Sequence, residues 1–387
     1  KYSNIAQRKR VFLFCLEMGS KAEEIDVQHK DWRKIKEERR AKKRKWEEEK
    51  MMKEIEKKKL NEEKEIQGKI QEKEDEVKRK EKGRPYTISI ALPGSILDNA
   101  QSPELRSYLA GQIARAAVVF NVDEIVIFDE SGNMKKTAID GQFDSSDKKV
   151  RCNLQFARIL QYLECPQYLR KAFFPQHKDL QYAGLLNPLD TPHHVKATEE
   201  SPYREGVVLQ KPTKSGKGSY VDVGLKQEIR IDKQLQAGTR VTVKMGEEKE
   251  GQKMMRGKVV SPSTPRADDG IYWGYTVRIA ESLGAVFTES RYRGGYDMLI
   301  GTSDKGECVD SFESTEFSHC LIVFGGVQGL EASLEVDQLL KIDDPALLFH
   351  HYLNTCPNQG SHTIRTEEAI LITLASLRPQ MTKKFKT

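Results

Sequence analysis

Cysteine is scarce. The 387 residues hold six, at Cys15, Cys152, Cys165, Cys308, Cys320 and Cys356, and no two form a Cys-x-x-Cys pair. A disulfide-stapled scaffold and a Cys-rich zinc module are thereby excluded. Four of the thiols sit in apolar or helical contexts, as reduced core cysteines of an intracellular protein do. Long apolar runs are also missing, and no stretch approaches the ~20 residues needed to span a bilayer. Residues 11–16 (Val-Phe-Leu-Phe-Cys-Leu) follow Arg8, Lys9 and Arg10 and mimic a secretory signal, but the run is short and lacks a convincing cleavage site. No Gly-x-Gly-x-x-Gly follows the first strand and no Gly-Lys-Ser/Thr loop occurs, which removes dinucleotide and P-loop chemistry. Without a Gly-x-Ser-x-Gly elbow, serine-hydrolase chemistry has no support. His193-His194 and His350-His351 lack Cys or carboxylate partners at ligand spacing, so no metal is expected.

Charge is what the chain has in excess: 32% Asp, Glu, Lys and Arg, against about 25% in an ordinary globular domain. The excess is uneven. Residues 1–84 hold about 28 Lys and Arg against about 20 Asp and Glu, while the whole chain carries only +6. Residues 29–82 are almost continuous Lys, Arg, Glu and Gln, good helix formers with opposite charges three and four apart. Their sparse apolar positions (Ile35, Trp46, Met51, Ile55, Leu60, Ile66, Ile70, Val77) hold no heptad register. A solvated helix or disordered tail over 1–83 is expected rather than a coiled coil. The densest basic block, 33–45, makes Arg40 and Lys43 candidates for RNA phosphate, and 39–45 could serve nuclear import. Met18-Gly19-Ser20 reads as a natural start, with residues 1–17 as upstream translated sequence. Glu23 stands where a myristoylation signal needs Ser or Thr, so no lipid anchor is expected.

Composition changes abruptly after Gly83-Arg84-Pro85. Residues 86–92 (Tyr-Thr-Ile-Ser-Ile-Ala-Leu) predict a strand, Ser102-Pro103-Glu104 a capped helix start, and residues 122–128 a second buried strand. Strand, helix, strand at this spacing is a βαβ unit with parallel strands. Residues 203–264 differ, with five short strands separated by polar turns, as in a small β-barrel of the OB type. Lys211, Lys214, Lys217, Lys226 and Arg230, with Lys233, Arg240 and Lys244, decorate this segment, and Tyr220 could stack on a base. The α/β pattern then returns over 265–387, which makes the barrel an insertion between that part and residues 84–202.

Three loops in the last hundred residues follow apolar strands: Gly301-Thr302-Ser303-Asp304, Gly325-Gly326-Val327-Gln328-Gly329, and the stretch from Asn354-Thr355 to Gly360-Ser361. In α/β sheets ligands bind beyond the carboxyl ends of strands, and glycines let backbone amides approach them closely. A helix starts near Thr366, with Glu367 and Glu368 in its first turn.

Residues 84–129, the Gly325-Gly326 loop, and above all the segment from Asn354-Thr355-Cys356-Pro357 to Ile364-Arg365-Thr366-Glu367-Glu368 resemble the SPOUT superfamily of trefoil-knot methyltransferases. The likeness is to a eukaryotic branch with a charged N-terminal helix and an OB-like insertion. It implies a knotted parallel-sheet α/β domain whose last strands and helix thread through a loop. It implies S-adenosylmethionine bound in the knot by Thr302, Gly325, Gly326, Asn354, Thr355, Gly360, Ile364 and Arg365, with S-adenosylhomocysteine as product. Catalytic roles for Arg365 and Asn354, a homodimer, and methylation of RNA, foremost uridine N3 in ribosomal RNA, follow from the same likeness. So do a nuclear, nucleolar or cytoplasmic location and partners at the spindle and kinetochore. The competing expectation is a catalytically weak knot-fold scaffold that binds RNA at the spindle.

Overall fold

The computed structural model describes residues 83–132, 134, 148–213, 218–246, 255–383 and 385, with positions 46 and 50–52 of the tail. Arg40, Lys43, Lys214, Lys217 and the 18–23 segment lie outside the described residues. The chain divides into two units, Lys1–Lys78 and Arg79–Thr387. In the first, positions 46 and 50–52 are helical, and Lys50 lies over the Trp46 ring at 5.6 Å, as residues one turn apart do.

The second unit is built on six parallel strands in the order β11-β9-β10-β1-β2-β8. β1 (Thr87–Pro93) is buried at all seven positions, because helices and loops cover both faces of an all-parallel sheet. Its side chains alternate: Ile88, Ile90 and Leu92 join the core on one face, Ala91 that on the other. Ser102 caps α1 (Pro103–Val119) by accepting from the Leu105 amide at 3.3 Å, as its Ser-Pro-Glu start predicts. Asn121 (φ 55°) then turns the chain into β2 (Glu124–Phe128). α2 (Lys148–Glu164) begins six residues before the apolar stretch expected from periodicity. It packs Phe156, Ile159, Leu160 and Leu163 beside α1, each fully buried apolar side chain contributing about 2 kcal/mol.

Five strands then form a closed barrel: β3 (Tyr203–Val208), β4 (Tyr220–Asp222), β5 (Ile229–Ile231), β6 (Arg240–Met245) and β7 (Arg256–Val260). They run in the order β3-β4-β5-β7-β6, and β3 pairs back to β6. All pairs are antiparallel except β5 with β7. Val221, Val223, Ile229, Ile231 and Val243 fill the interior. After α3 (Thr264–Asp269), β8 (Thr276–Ala280) returns to pair with β2, so the sheet continues across the insertion. α4 (Leu283–Thr288), β9 (Met298–Cys308), β10 (His319–Val323), α5 (Glu331–Val336), β11 (His351–Asn354) and α6 (Thr366–Lys383) complete the unit.

One buried network joins barrel to sheet. Arg240 of β6, expected on the barrel surface, instead donates to both carboxylate oxygens of Glu164 at 2.7 and 2.9 Å and to Glu205 at 2.8 Å. Such forked, charge-assisted bonds are the strong ones. Glu205 also accepts from Trp273 Nε1 (2.6 Å) and Thr242 Oγ1 (2.5 Å). His193 and His194 both direct Nε2 at the Glu164 carbonyl, at 2.8 and 2.7 Å. Burial pushes the Glu164 carboxyl up, but the Arg240 charge and the His193 hydrogen bond outweigh it and hold the group at about 2.

Candidate active site

After β1 the chain runs to β2 and on toward the β8 edge. After β10 it runs the other way, to β11. Neighbouring strands whose connections diverge open a crevice at their carboxyl ends, the usual ligand position in an open α/β sheet. Here Ser95 follows β1, Glu130 follows β2, and Gly325-Gly326 follows β10. Ser95 Oγ donates to Glu130 Oε1. A Cβ on Gly326 would lie 2.4 Å from Glu130 Oε2, so the carboxylate rests against bare backbone. The loop doubles back through a Gly326–Gly329 bridge, with Gly329 at φ 78°. A Cβ on Gly325 would come within 2.7 Å of the Gly329 backbone.

The expected loop at Thr302 is strand instead. β9 runs on to Cys308, and its pairing with β11 jumps from Tyr352↔Gly301 to Leu353↔Glu307. The polar run Ser303-Asp304 suggested a strand end, but long-range pairing with Leu353 and Asn354 carries the strand onward. Thr302 Oγ1 donates to the Val323 carbonyl at 3.0 Å, which ties it to the end of β10. Asn354 Nδ2 donates to the Asp304 carbonyl (3.0 Å), and its Oδ1 accepts from the Cys356 amide (3.1 Å). Its side chain therefore fastens the loop after β11 to β9. Thr355 Oγ1 pairs with Thr373 Oγ1 at 2.8 Å, and Ser376 donates to the Thr355 carbonyl at 3.4 Å, so that loop is pinned to α6. Thr366, first in α6, donates to the Gly325 carbonyl at 3.3 Å. These contacts gather Thr302, Gly325, Asn354 and Thr355 at one end of the sheet.

Ile364 is half-buried, and Gly360 faces open space. Arg365 is exposed. Its amide donates to Glu368 Oε2 at 3.1 Å, closing the start of α6, and its guanidinium makes no ion pair among the described residues. Nearby, Lys305 and Glu331 pair at 2.7 Å, and the Lys305 hydrogen bond draws the Glu331 carboxyl below its usual range. A buried hydroxyl just beyond the glycine loop, Ser333 Oγ, completes no hydrogen bond. Buried polar atoms rarely stay so. Side-chain-free glycines, an unspent hydroxyl and a carboxylate at one end of the sheet fit a polar nucleoside cofactor better than packing alone.

Sequence reasoning missed Ser95 and Glu130. The available signal was Asp129-Glu130, an acidic pair directly after a buried strand. On the barrel, Arg230 covers the Tyr220 ring at 5.7 Å, and Lys211 pairs with Glu228 at 2.5 Å, so both expected contacts are partly engaged. Lys226 is exposed and forms no ion pair among the described residues.

The fold is thus a parallel sheet with a crevice at its strand ends and a small barrel inserted in the chain between β2 and β8. The chain belongs to the family described as "Putative RNA methyltransferase", which matches residues 87–377. It is 58% identical over 312 residues to the 28S rRNA (uridine-N(3))-methyltransferase of Homo sapiens, covering 80% of this chain and 83% of that protein. It is 51% identical over 361 residues to the protein of that name from Drosophila melanogaster, covering 91% and 73%. The solved SpoU methyltransferase AviRb from Streptomyces viridochromogenes, in complex with AdoMet, is similar at TM-score 0.30 and 12% identity, over 78% of this chain and 60% of that one. A likeness that loose decides nothing.

Proposed function

We propose that this chain methylates uridine N3 in large-subunit ribosomal RNA, with S-adenosylmethionine as methyl donor. The identity to the human relative, spread over 83% of that protein, carries the reading. The methyltransferase names of the human and fly relatives favour an enzyme over the scaffold alternative. We assign the cofactor to the crevice, held by backbone at Gly325, Gly326, Gly360 and Ile364. Thr302, Asn354 and Thr355 position these loops, and Arg365 offers a free cation beside them. Bound there, S-adenosylmethionine would supply an electrophilic methyl carbon and leave as S-adenosylhomocysteine.

Such a displacement needs orientation more than covalent catalysis. The uridine must give up its N3 proton, and Glu130 is the carboxylate placed at the crevice to take it. Arg365 then favours the anionic ring that results, and Asn354 acts as a positioning residue. The strand order and the β5–β7 parallel pair support an OB-type barrel. The contacts of α6 with the Gly325 and Thr355 loops support a knot. We propose the four-part division 1–83, 84–202, 203–264 and 265–387 on the same basis. RNA contacts by Lys211, Lys214, Lys217, Tyr220, Lys226 and Arg230, and by Arg40 and Lys43 of the tail, belong to this reading.

An exposed apolar band, Tyr108, Val119 and Leu371, lies along α1 and α6 and suits a homodimer. A location in the nucleus, nucleolus or cytoplasm belongs to the same reading. Spindle and kinetochore partners rest on the resemblance alone.

Calorimetric titration with S-adenosylmethionine tests the enzyme reading. The wild-type chain is expected to bind, and Asn354→Ala to bind about tenfold more weakly or worse, because the bonds that fasten its loop to β9 and shape its turn are lost. RNA affinity should stay nearly unchanged. A wild-type chain that binds RNA but no cofactor would establish the scaffold instead.

A further inference from the structure

Helix α2 leads from the crevice to a second concave surface. Near its start, Asn153 fills the space a Cβ on Gly94 would need and donates to Asp129 at 3.4 Å, both at the carboxyl ends of β1 and β2. Tyr162 lies nine residues further, about 14 Å along the axis. There Tyr162, Phe174, Pro175, His177, Lys178 and Leu180 line an open groove of about 550 Å³, within the range that holds small ligands. Phe174 shares a cluster with Tyr168 and with Val207 of β3. Tyr168 donates to the Glu205 carbonyl at 2.8 Å, and its ring fills the space beside Gly224, whose loop carries the exposed Lys226.

The groove, with the short helical turn Arg170–Phe173 directly before Phe174, combines fixed rings with unspent charge. Tyr162 carries the Arg170 guanidinium at 4.4 Å from its centroid and meets Phe174 edge to face at 5.6 Å. Between residues 157 and 187 the cations are Arg158, Arg170, Lys171 and Lys178, and the anions are Glu164 and Asp179. Glu164 is buried against Arg240, and Asp179 is paired with Arg158. Lys171 and Lys178 are exposed, with no ion pair among the described residues. His177 Nδ1 faces the Asp179 amide at 3.2 Å, the Arg158 guanidinium at 3.1 Å and Asp179 Oδ2 at 3.2 Å, which fixes the ring at the groove wall. Rings and unpaired lysines match a single-stranded polyanion whose bases stack. An acidic protein segment would use the lysines but leave the rings without a partner.

We propose that this groove binds single-stranded RNA flanking the target nucleotide, one base against Phe174 and Tyr162, with phosphates on Lys171 and Lys178. The inference rests on the reading of RNA as substrate and adds a contact outside both the crevice and the barrel strands.

The test is fluorescence anisotropy of a labelled oligouridylate with the full chain, without cofactor, across a salt series. A Lys171→Glu/Lys178→Glu double variant is expected to bind about tenfold more weakly or worse, with a salt slope smaller in magnitude by about 1.4, the share of two phosphate contacts on a single strand. Phe174→Leu keeps apolar bulk but removes the ring. It is expected to bind about fivefold more weakly or worse with an unchanged slope. Cofactor affinity should be the same in all three proteins. Loss of cofactor binding by the wild type would sink the methyltransferase reading and leave the RNA result readable. Wild-type affinity and slope in both variants would overturn the groove assignment. So would a poly-glutamate peptide that competes with the RNA and is insensitive to Phe174→Leu.

Discussion

The junction between barrel and sheet and the crevice at the carboxyl ends of the strands are built on opposite plans. At the junction the side chains are large and charged, and most are matched: Arg240 serves Glu164 and Glu205, and Trp273, Thr242, His193 and His194 spend their donors on the same two glutamates. At the crevice glycine backbone dominates, and Ser333 keeps a buried hydroxyl without a partner. At the junction His193 Nδ1 is buried without one, but the charged donors are spent, and such a network holds two bodies in register. A surface with unspent donors and no Cβ atoms is prepared for something to arrive. Stability should therefore reside at the first and chemistry at the second.

The sharpest way to break that contrast is Arg240→Ala. It leaves two buried carboxylates without their cation, which costs about 3 kcal/mol after allowance for partial solvent access. Urea unfolding should show this loss while cofactor affinity in the remaining folded fraction holds. Next is Glu130→Gln at the crevice. Methyl transfer is expected to fall about a hundredfold, within the usual worth of a proton acceptor, with the thermal midpoint nearly constant. If the two variants exchanged phenotypes, the contrast would be wrong.

The junction also makes acid sensitivity predictable. Burial, and after it the neighbouring charge of His193, hold His194 at about 4, below its ordinary 6.5. A depressed folded value favours the neutral ring, so this contribution is intact above pH 6.5 and is lost as pH falls toward 4, by about 3 kcal/mol at most. Glu164, held at about 2, adds a further loss only as pH falls from the ordinary carboxylate range toward that value. His194→Gln should flatten the upper part of the stability profile and leave the lower part. The smallest effect belongs to Lys211→Ala on the barrel. Its ion pair with Glu228 is exposed, and the stability change should stay under about 0.5 kcal/mol.

Local signals made much of the fold legible. β1 is seven consecutive buried residues, and Ser102-Pro103-Glu104 announces α1 by capping chemistry alone. The five barrel strands stand out through turn residues and alternation. What stayed hidden depends on distance along the chain. Arg240 reads as a surface arginine because Glu164 lies 76 residues away. Thr302 reads as a loop residue because the partners that extend β9 come from β11, about fifty residues on. The site was legible where glycines cluster, at Gly325-Gly326, and where side-chain donors crowd one loop, from Asn354 to Arg365. Ser95 and Glu130 were not, since only the order of strands in the sheet brings the ends of β1, β2 and β10 together.

The most direct test of the central claim is nucleoside analysis. Ribosomal RNA from cells lacking this protein would be incubated with the full chain and labelled S-adenosylmethionine, then digested to nucleosides and separated. The expected result is label in 3-methyluridine, lost with Glu130→Gln. Label in another nucleoside, or none from a chain that binds both cofactor and RNA, would contradict the account.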